Sequence, residues 1–302
     1  MRDFRLRHPL ALLLTCAALL PVEALSGAPD RSETRVQARG GPVSGSLGDK
    51  QVQAARLMER SLASIAAHRR SKGLRIDPAL DPTGTGIIGD EFTPLTTSLG
   101  DVKAKRTGTN PAFAAVVVKY FGEAGLRRGD VVAVGASGSF PAFLLASLCA
   151  ARALELEPLI IYSIGASMFG ANVPGFTFVE MVDGLRADGL LPYGLLAVSP
   201  GGRDDLGTGV LFDEDGKSDA LVAEAKRSGL PVIEARSLAA SIEKRLQVYE
   251  AAAAGRPIRL FVNVGGAAPN YVGTPASLDL PNGLVLRARN GPSGATRGLV
   301  FE

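Results

Sequence analysis

Residues 129–153 read GDVVAVGASGSFPAFLLASLCAARA, and this stretch decides the fold. Residues 131–134 form an apolar run of strand length, Gly135 to Ser139 are all small, and an Ala- and Leu-rich run follows Pro141. A buried strand, a tight turn and an apolar helix are therefore expected in that order. Two of the five turn residues lack a Cβ, so the backbone can approach a ligand closely. Pro141 suits a first helical turn, where a missing N–H costs nothing. Such a turn aims N–H groups and the positive end of a helix dipole at one spot, which favours phosphate, carboxylate or an oxyanion. GASGS is not G-x-G-x-x-G, lacks the lysine of a P-loop, and misses G-x-S-x-G because its fifth residue is Ser139. Close packing of small residues would account for it equally well.

Outward from this unit the pattern alternates. Strands are expected at 131–134, 159–163, 195–199, 232–233 and 258–264, with helical runs at 141–156, 177–187, 218–227 and 238–254. This predicts an α/β fold: a doubly wound, mostly parallel sheet of about five strands, with an N-terminal helix at 49–72 and a polar loop segment over the sheet edge. In a parallel sheet the turns 135–139, 163–167, 199–205 and 263–266 fall on one edge, where open α/β sheets bind ligands. Gly135, Gly138, Ser167, Gly201, Gly202, Asp204, Asn263 and Gly265 are the ligand-binding candidates there, together with Asn172 in the stretch that follows Ser167.

The polar segment 76–110, IDPALDPTGTGIIGDEFTPLTTSLGDVKAKRTGTN, shows no helical or strand period. Unpatterned segments of this length inside a domain are often functional. Glu91, Thr96 and Thr97 offer acceptors and hydroxyls, and Lys103, Lys105 and Arg106 offer cations for an anionic ligand. Asn110-Pro111 then opens a helix.

Only two histidines occur, His8 and His68, so a His-based zinc site or Ser-His-Asp triad near the core turns is excluded. A nucleophile at Ser137 or Ser139 would need Lys105 as its base, with loop N–H groups as oxyanion hole. Asp204 and Asp205, helped by Glu91 or Asn263, could hold Mg²⁺, but adjacent acids ordinarily diverge, and no metal is assigned. Cys149 reads as a small core residue of the helix after the turn. No cofactor is assigned.

The 302 residues are 46% hydrophobic, enough for a sizeable core, and 33 basic against 30 acidic residues leave a net charge of +3. Nothing marks the chain as a nucleic-acid binder. Arg2, Arg5 and Arg7 precede an apolar run at 10–22 and then small residues, the order of a secretory leader or, if retained, a membrane anchor at 1–28. Residues 29–48, rich in Gly, Ser, Pro and Arg, read as a flexible linker, and 49–302 as a single α/β domain. Short apolar runs at 284–289 and 299–301 predict an edge hairpin.

Three stretches carry a family resemblance: DPTGTGIIGDEFTPLTTSLGDVKAKRTGTNP at 81–111, VAVGASGSFPA at 132–142 and SIGASMFGANVPGFTFVEM at 163–181. Across about 76–273 the chain resembles the poly-gamma-glutamate system protein family. The resemblance implies an accessory component of poly-γ-glutamate production, membrane contact through the N-terminal segment alone, and no settled catalytic residues. The expected protein is extracytoplasmic, periplasmic or at the cell surface, and binds the anionic polymer, a precursor or the synthesis and export machinery. The alternative is a γ-glutamyl hydrolase or transferase with a Ser nucleophile and a Lys base. A third reading is a nucleotide or sugar-phosphate site at the glycine turn.

Overall fold

A computed structural model describes residues 45–209, 211, 219–271, 282–285 and 298–301; the leader and all but the end of the linker lie outside the described residues. Helix α1 (Leu47–Ser71) begins two residues before the expected start, because Ser46 and Asp49 form a reciprocal capping box. Its face of Ala54, Met58, Leu62 and Ile65 is buried.

The polar segment is partly ordered into regular elements. It contains β1 (Thr96–Ser98) and α2 (Val102–Gly108), the latter capped by Asp101, whose Oδ1 accepts the N–H groups of Lys103 and Ala104 at 2.6 and 3.2 Å. Helix α3 (Ala112–Glu123) follows. The alternating region gives β2 (Val131–Ser137), α4 (Pro141–Ala153), β3 (Glu157–Ser163), β4 (Ala166–Ser167), α5 (Phe178–Ala187), β5 (Ala197–Ser199), α6 (Asp219–Arg227), α7 (Leu238–Ala253), β6 (Ile258–Val264), α8 (Ala268–Tyr271), β7 (Gly283–Val285) and β8 (Gly298–Phe301).

The main sheet has the order β5-β3-β2-β6-β8-β7, parallel throughout except for the β7–β8 pair, and β1 and β4 form a separate two-stranded parallel sheet. The strand expected at 232–233 contributes one parallel bridge, Val198 with Val232. Pro231 has no N–H to extend that ladder. From β2 the chain winds outward through β3 to β5 and then returns to set β6 on the other flank of β2. The topological switch point therefore lies between β2 and β6.

The two sheet faces are covered unequally. Val132, Val134 and Ala136 of β2 point into a large core with Met58, Ile65, Phe121, Leu144, Leu148 and Phe178. Cys149 lies in it fully buried, and loss of solvation pushes its thiol up to about 12. Val131 and Ala133 face a smaller cluster with Ile161, Phe261 and Tyr249 of α7. Among the described residues no helix is long and apolar enough to cross a membrane.

Candidate functional site

At the carboxyl edge of the sheet the four strand-end turns surround one cavity of about 500 Å³. Ser137, Ser139 and Phe140 line it after β2, Ser163, Gly165 and Ser167 after β3, Gly201, Gly202 and Arg203 after β5, and Gly266 and Ala267 after β6. Residues 97–101, Ala104 and Lys105 close its remaining side. Pairing of β1 with β4 brings that segment over the edge: Ala166 N–H donates to Leu95 O at 3.2 Å and Met168 N–H to Ser98 O at 3.0 Å.

Lys105 is the chemical centre of this wall. It is 5% exposed, its Nζ donates to Ser139 O at 2.5 Å and to Ser167 Oγ at 2.7 Å, and it sits 3.5 Å over the Phe140 ring centroid. Burial strips solvent from the ammonium and pulls its pKa down to about 7, with the Asp101 charge opposing that shift. Ser139 also steadies the serine, since its Oγ accepts the Ser167 N–H at 3.1 Å. Behind Ser167 a Cβ on Gly100 would lie 3.2 Å from Ser167 Oγ and 2.7 Å from Met168 O. Two residues on, Phe169 holds a left-handed φ of 61°, which is strained for an aromatic residue. Hydrogen bonds from Phe169 N to Asp90 O at 2.8 Å and Ala171 N to Gly138 O at 2.7 Å keep it there.

The base therefore meets Ser167 directly. Ser139 meets it through a carbonyl, and Ser137 belongs to the floor, where its Oγ accepts a long bond of 3.4 Å from Ser139 N–H. Gly265, at φ 78°, packs so closely on Ser137 Oγ that a Cβ there would collide with it.

Beneath the floor lies a second buried cation. Arg245 Nη2 donates to Ser163 Oγ at 2.9 Å, Ser199 Oγ at 2.7 Å and Asp205 Oδ2 at 2.9 Å. Asp205 also accepts from Ser199 at 2.6 Å and Ser241 at 2.5 Å. Asp204 is exposed and outside the cavity lining, so the adjacent acids diverge. Among the described residues no group of three His, Cys, Asp or Glu could hold a metal ion.

Several expected ligand residues do other work. Arg106 turns away from the cavity and donates to Leu80 O at 2.8 Å and to Ala79 O. Lys103 and Glu91 are exposed and line no part of the cavity. Asn172 clamps the β1 segment, bonding Asp90 N and O at 3.0 and 2.8 Å and Thr96 Oγ1 at 3.0 Å. Thr97 lines the cavity and donates to Ala166 O at 3.3 Å. Gly138 shares its N–H between Ser163 O at 3.1 Å and Gly165 O at 3.2 Å, so it has no donor left for a ligand. Gly135 is needed for packing, because a Cβ there would lie 2.5 Å from Asn270 Oδ1. Asn263, opposite Gly135 on β6, is buried, and neither of its amide atoms has a partner among the described residues.

Sequence reasoning did not single out Gly100, Phe140, Ser163, Arg203 or Arg245. A usable signal existed for one of them: Ser137, Ser163 and Ser199 end three neighbouring strands in register. Comparisons with protein-family models, curated proteins and solved structures found no match.

Proposed function

We propose that this protein is an acyl-transfer enzyme of the serine/lysine type, acting on γ-glutamyl amide bonds in the extracytoplasmic handling of poly-γ-glutamate. One observation carries the chemistry: a buried lysine with a pKa drawn to about 7, 2.7 Å from a serine hydroxyl on the wall of an open cavity. The pathway rests on the family resemblance. In this reading the nucleophile is Ser167, in place of Ser137 or Ser139, because Ser167 alone of the three presents its hydroxyl to Lys105.

Neutral Lys105 keeps one N–H on Ser139 O and turns its lone pair to the Ser167 hydroxyl. It takes that proton as Oγ attacks the amide carbonyl. The C–N bond then breaks, and the lysine ammonium returns the proton to the leaving amine. Water, or an incoming amine in a transfer, attacks the Ser167 ester, gives its proton to Lys105, and the proton returns to Ser167 as the ester opens. General-base help of this kind is worth about 10²–10⁴-fold. Because the neutral amine is the active form, kcat/KM rises with pH through about 7.

The engaged Gly138 N–H favours a second reading, since it removes one of the turn's oxyanion donors: a receptor that captures the carboxylate-rich polymer without cutting it. Incubating the protein with poly-γ-glutamate separates the two. Shortening of the polymer that Ser167→Ala abolishes supports the enzyme. Retention of unshortened polymer supports the receptor, and the absence of both outcomes contradicts each reading.

A further inference from the structure

The cavity floor holds polar groups that the Ser167–Lys105 chemistry does not use. Ser137 and Ser163 are register partners on adjacent strands, and both line the cavity. Strand spacing puts their backbones about 5 Å apart, a separation two hydroxyls can bridge to one carboxylate.

The hydrogen count shows what these hydroxyls have left to give. Arg245 Nη2 has two hydrogens and three acceptors, Ser163, Ser199 and Asp205. Ser199 has one hydrogen, and Asp205 Oδ1 at 2.6 Å is its strongest acceptor. Ser163 accepts from the guanidinium, while its own hydrogen finds only Asp205 Oδ1, at 3.4 Å, among the described residues. A carboxylate in the cavity at ordinary hydrogen-bond distance would outcompete that long contact. Ser137 accepts from Ser139 N–H, and among the described residues its hydrogen has no acceptor.

Charge points the same way. Asp205 is supplied by Ser199, Ser241 and Arg245, whereas Arg245 Nε and Nη1 are buried without a partner among the described residues. The carboxylate is saturated and the guanidinium is not, so the positive member of the pair is the less compensated one. A cation behind Ser163 polarises its hydroxyl and strengthens it as a donor.

From this we infer that Ser137 and Ser163, backed by Arg245, form a carboxylate-binding subsite on the cavity floor, which receives the free carboxylate of the acyl unit whose amide carbonyl faces Ser167. The inference rests on the proposed acyl-transfer reading and names its substrate class: acyl groups that carry a second, free carboxylate. Ser137 and Ser163 are then specificity-determining residues, and Arg245 is a positioning residue acting through Ser163.

The test uses the full chain and two probes, N-acetyl-γ-glutamyl anilide with its α-carboxylate free and the same compound as its α-methyl ester. Binding is measured by calorimetry in a Ser167→Ala background, so that turnover does not intervene. The subsite predicts that the free acid binds about 10-fold or more tightly than the ester, the worth of a hydrogen bond to a charged group. Ser163→Ala should erase most of that preference, chiefly by weakening the acid. Ser137→Ala gives an independent check should Ser163→Ala fail to fold. Equal binding of acid and ester, a preference that survives both substitutions, or no binding of the acid at millimolar concentration would overturn the subsite. The acyl-transfer reading fails separately: the protein with Ser167 intact would bind the acid with the predicted preference yet never release aniline.

Discussion

Two buried cations flank the same cavity, and they are held in opposite ways. Arg245 lies 2.9 Å from Asp205 and donates to two serines, so a counter-charge is built in beside it, although its Nε and Nη1 find no partner among the described residues. Lys105 has a carbonyl, a hydroxyl and an aromatic face around it, and Asp101 acts on it only at longer range. A guanidinium cannot shed its proton, and burying one demands an anion. An ammonium in a comparable site can become neutral, which makes Lys105 a base and leaves Arg245 a fixture.

The comparison breaks first on activity. Ser167→Ala should lower hydrolysis of poly-γ-glutamate by about 10⁴-fold or more, as loss of a nucleophile does elsewhere, and Lys105→Ala by about 10²–10⁴-fold, the worth of its general base, while the chain stays folded. Steady-state assays paired with circular dichroism would check both halves. If Arg245 is the fixture, Arg245→Met should cost about 3–5 kcal/mol in denaturant unfolding, because it strands Asp205. Arg245→Met combined with Asp205→Leu should cost less than the single change.

The geometry between the two cations is tested by Gly265→Ala. At φ 78° and against Ser137 Oγ, the added methyl should destabilise by about 1–3 kcal/mol. The corresponding change at Gly125, also at positive φ but with open space around it, should cost less, its penalty being confined to the backbone.

Lys105 also sets a pH dependence of stability. Between pH 7 and about 10 the unfolded chain binds a proton at Lys105 that the folded chain does not, so stability rises with pH across that window, by up to about 1.4 kcal/mol per pH unit. Lys105→Met should flatten that slope, as read from thermal midpoints across the window.

The alternating strands and helices were readable because each strand is a run of apolar residues and each helix an apolar stripe, and parallel topology alone sends four distant turns to one edge. The polar segment was not readable to the same degree. Its apolar content is too low to show a period, so α2 stayed hidden, and with it the geometry that separates Lys105 from Arg106. Adjacent residues on a helix point about 100° apart, which sends one into the cavity and the other to the carbonyls of Ala79 and Leu80. Thr96 and Asn172 illustrate a second gap: polar side chains suited to a ligand instead hold the backbone of the segment in place. Arg245 was invisible for a third reason. Its carboxylate partner lies 40 residues away in a turn that only the folded sheet brings to α7.

The claim that Lys105 serves as a neutral base for Ser167 is tested most directly by its own titration. With ¹³C-labelled lysine, and the Lys105 resonance assigned by its absence in Lys105→Arg, the Cε shift should move with a midpoint near pH 7. A midpoint near 10, the value of a solvated ammonium, would contradict the account.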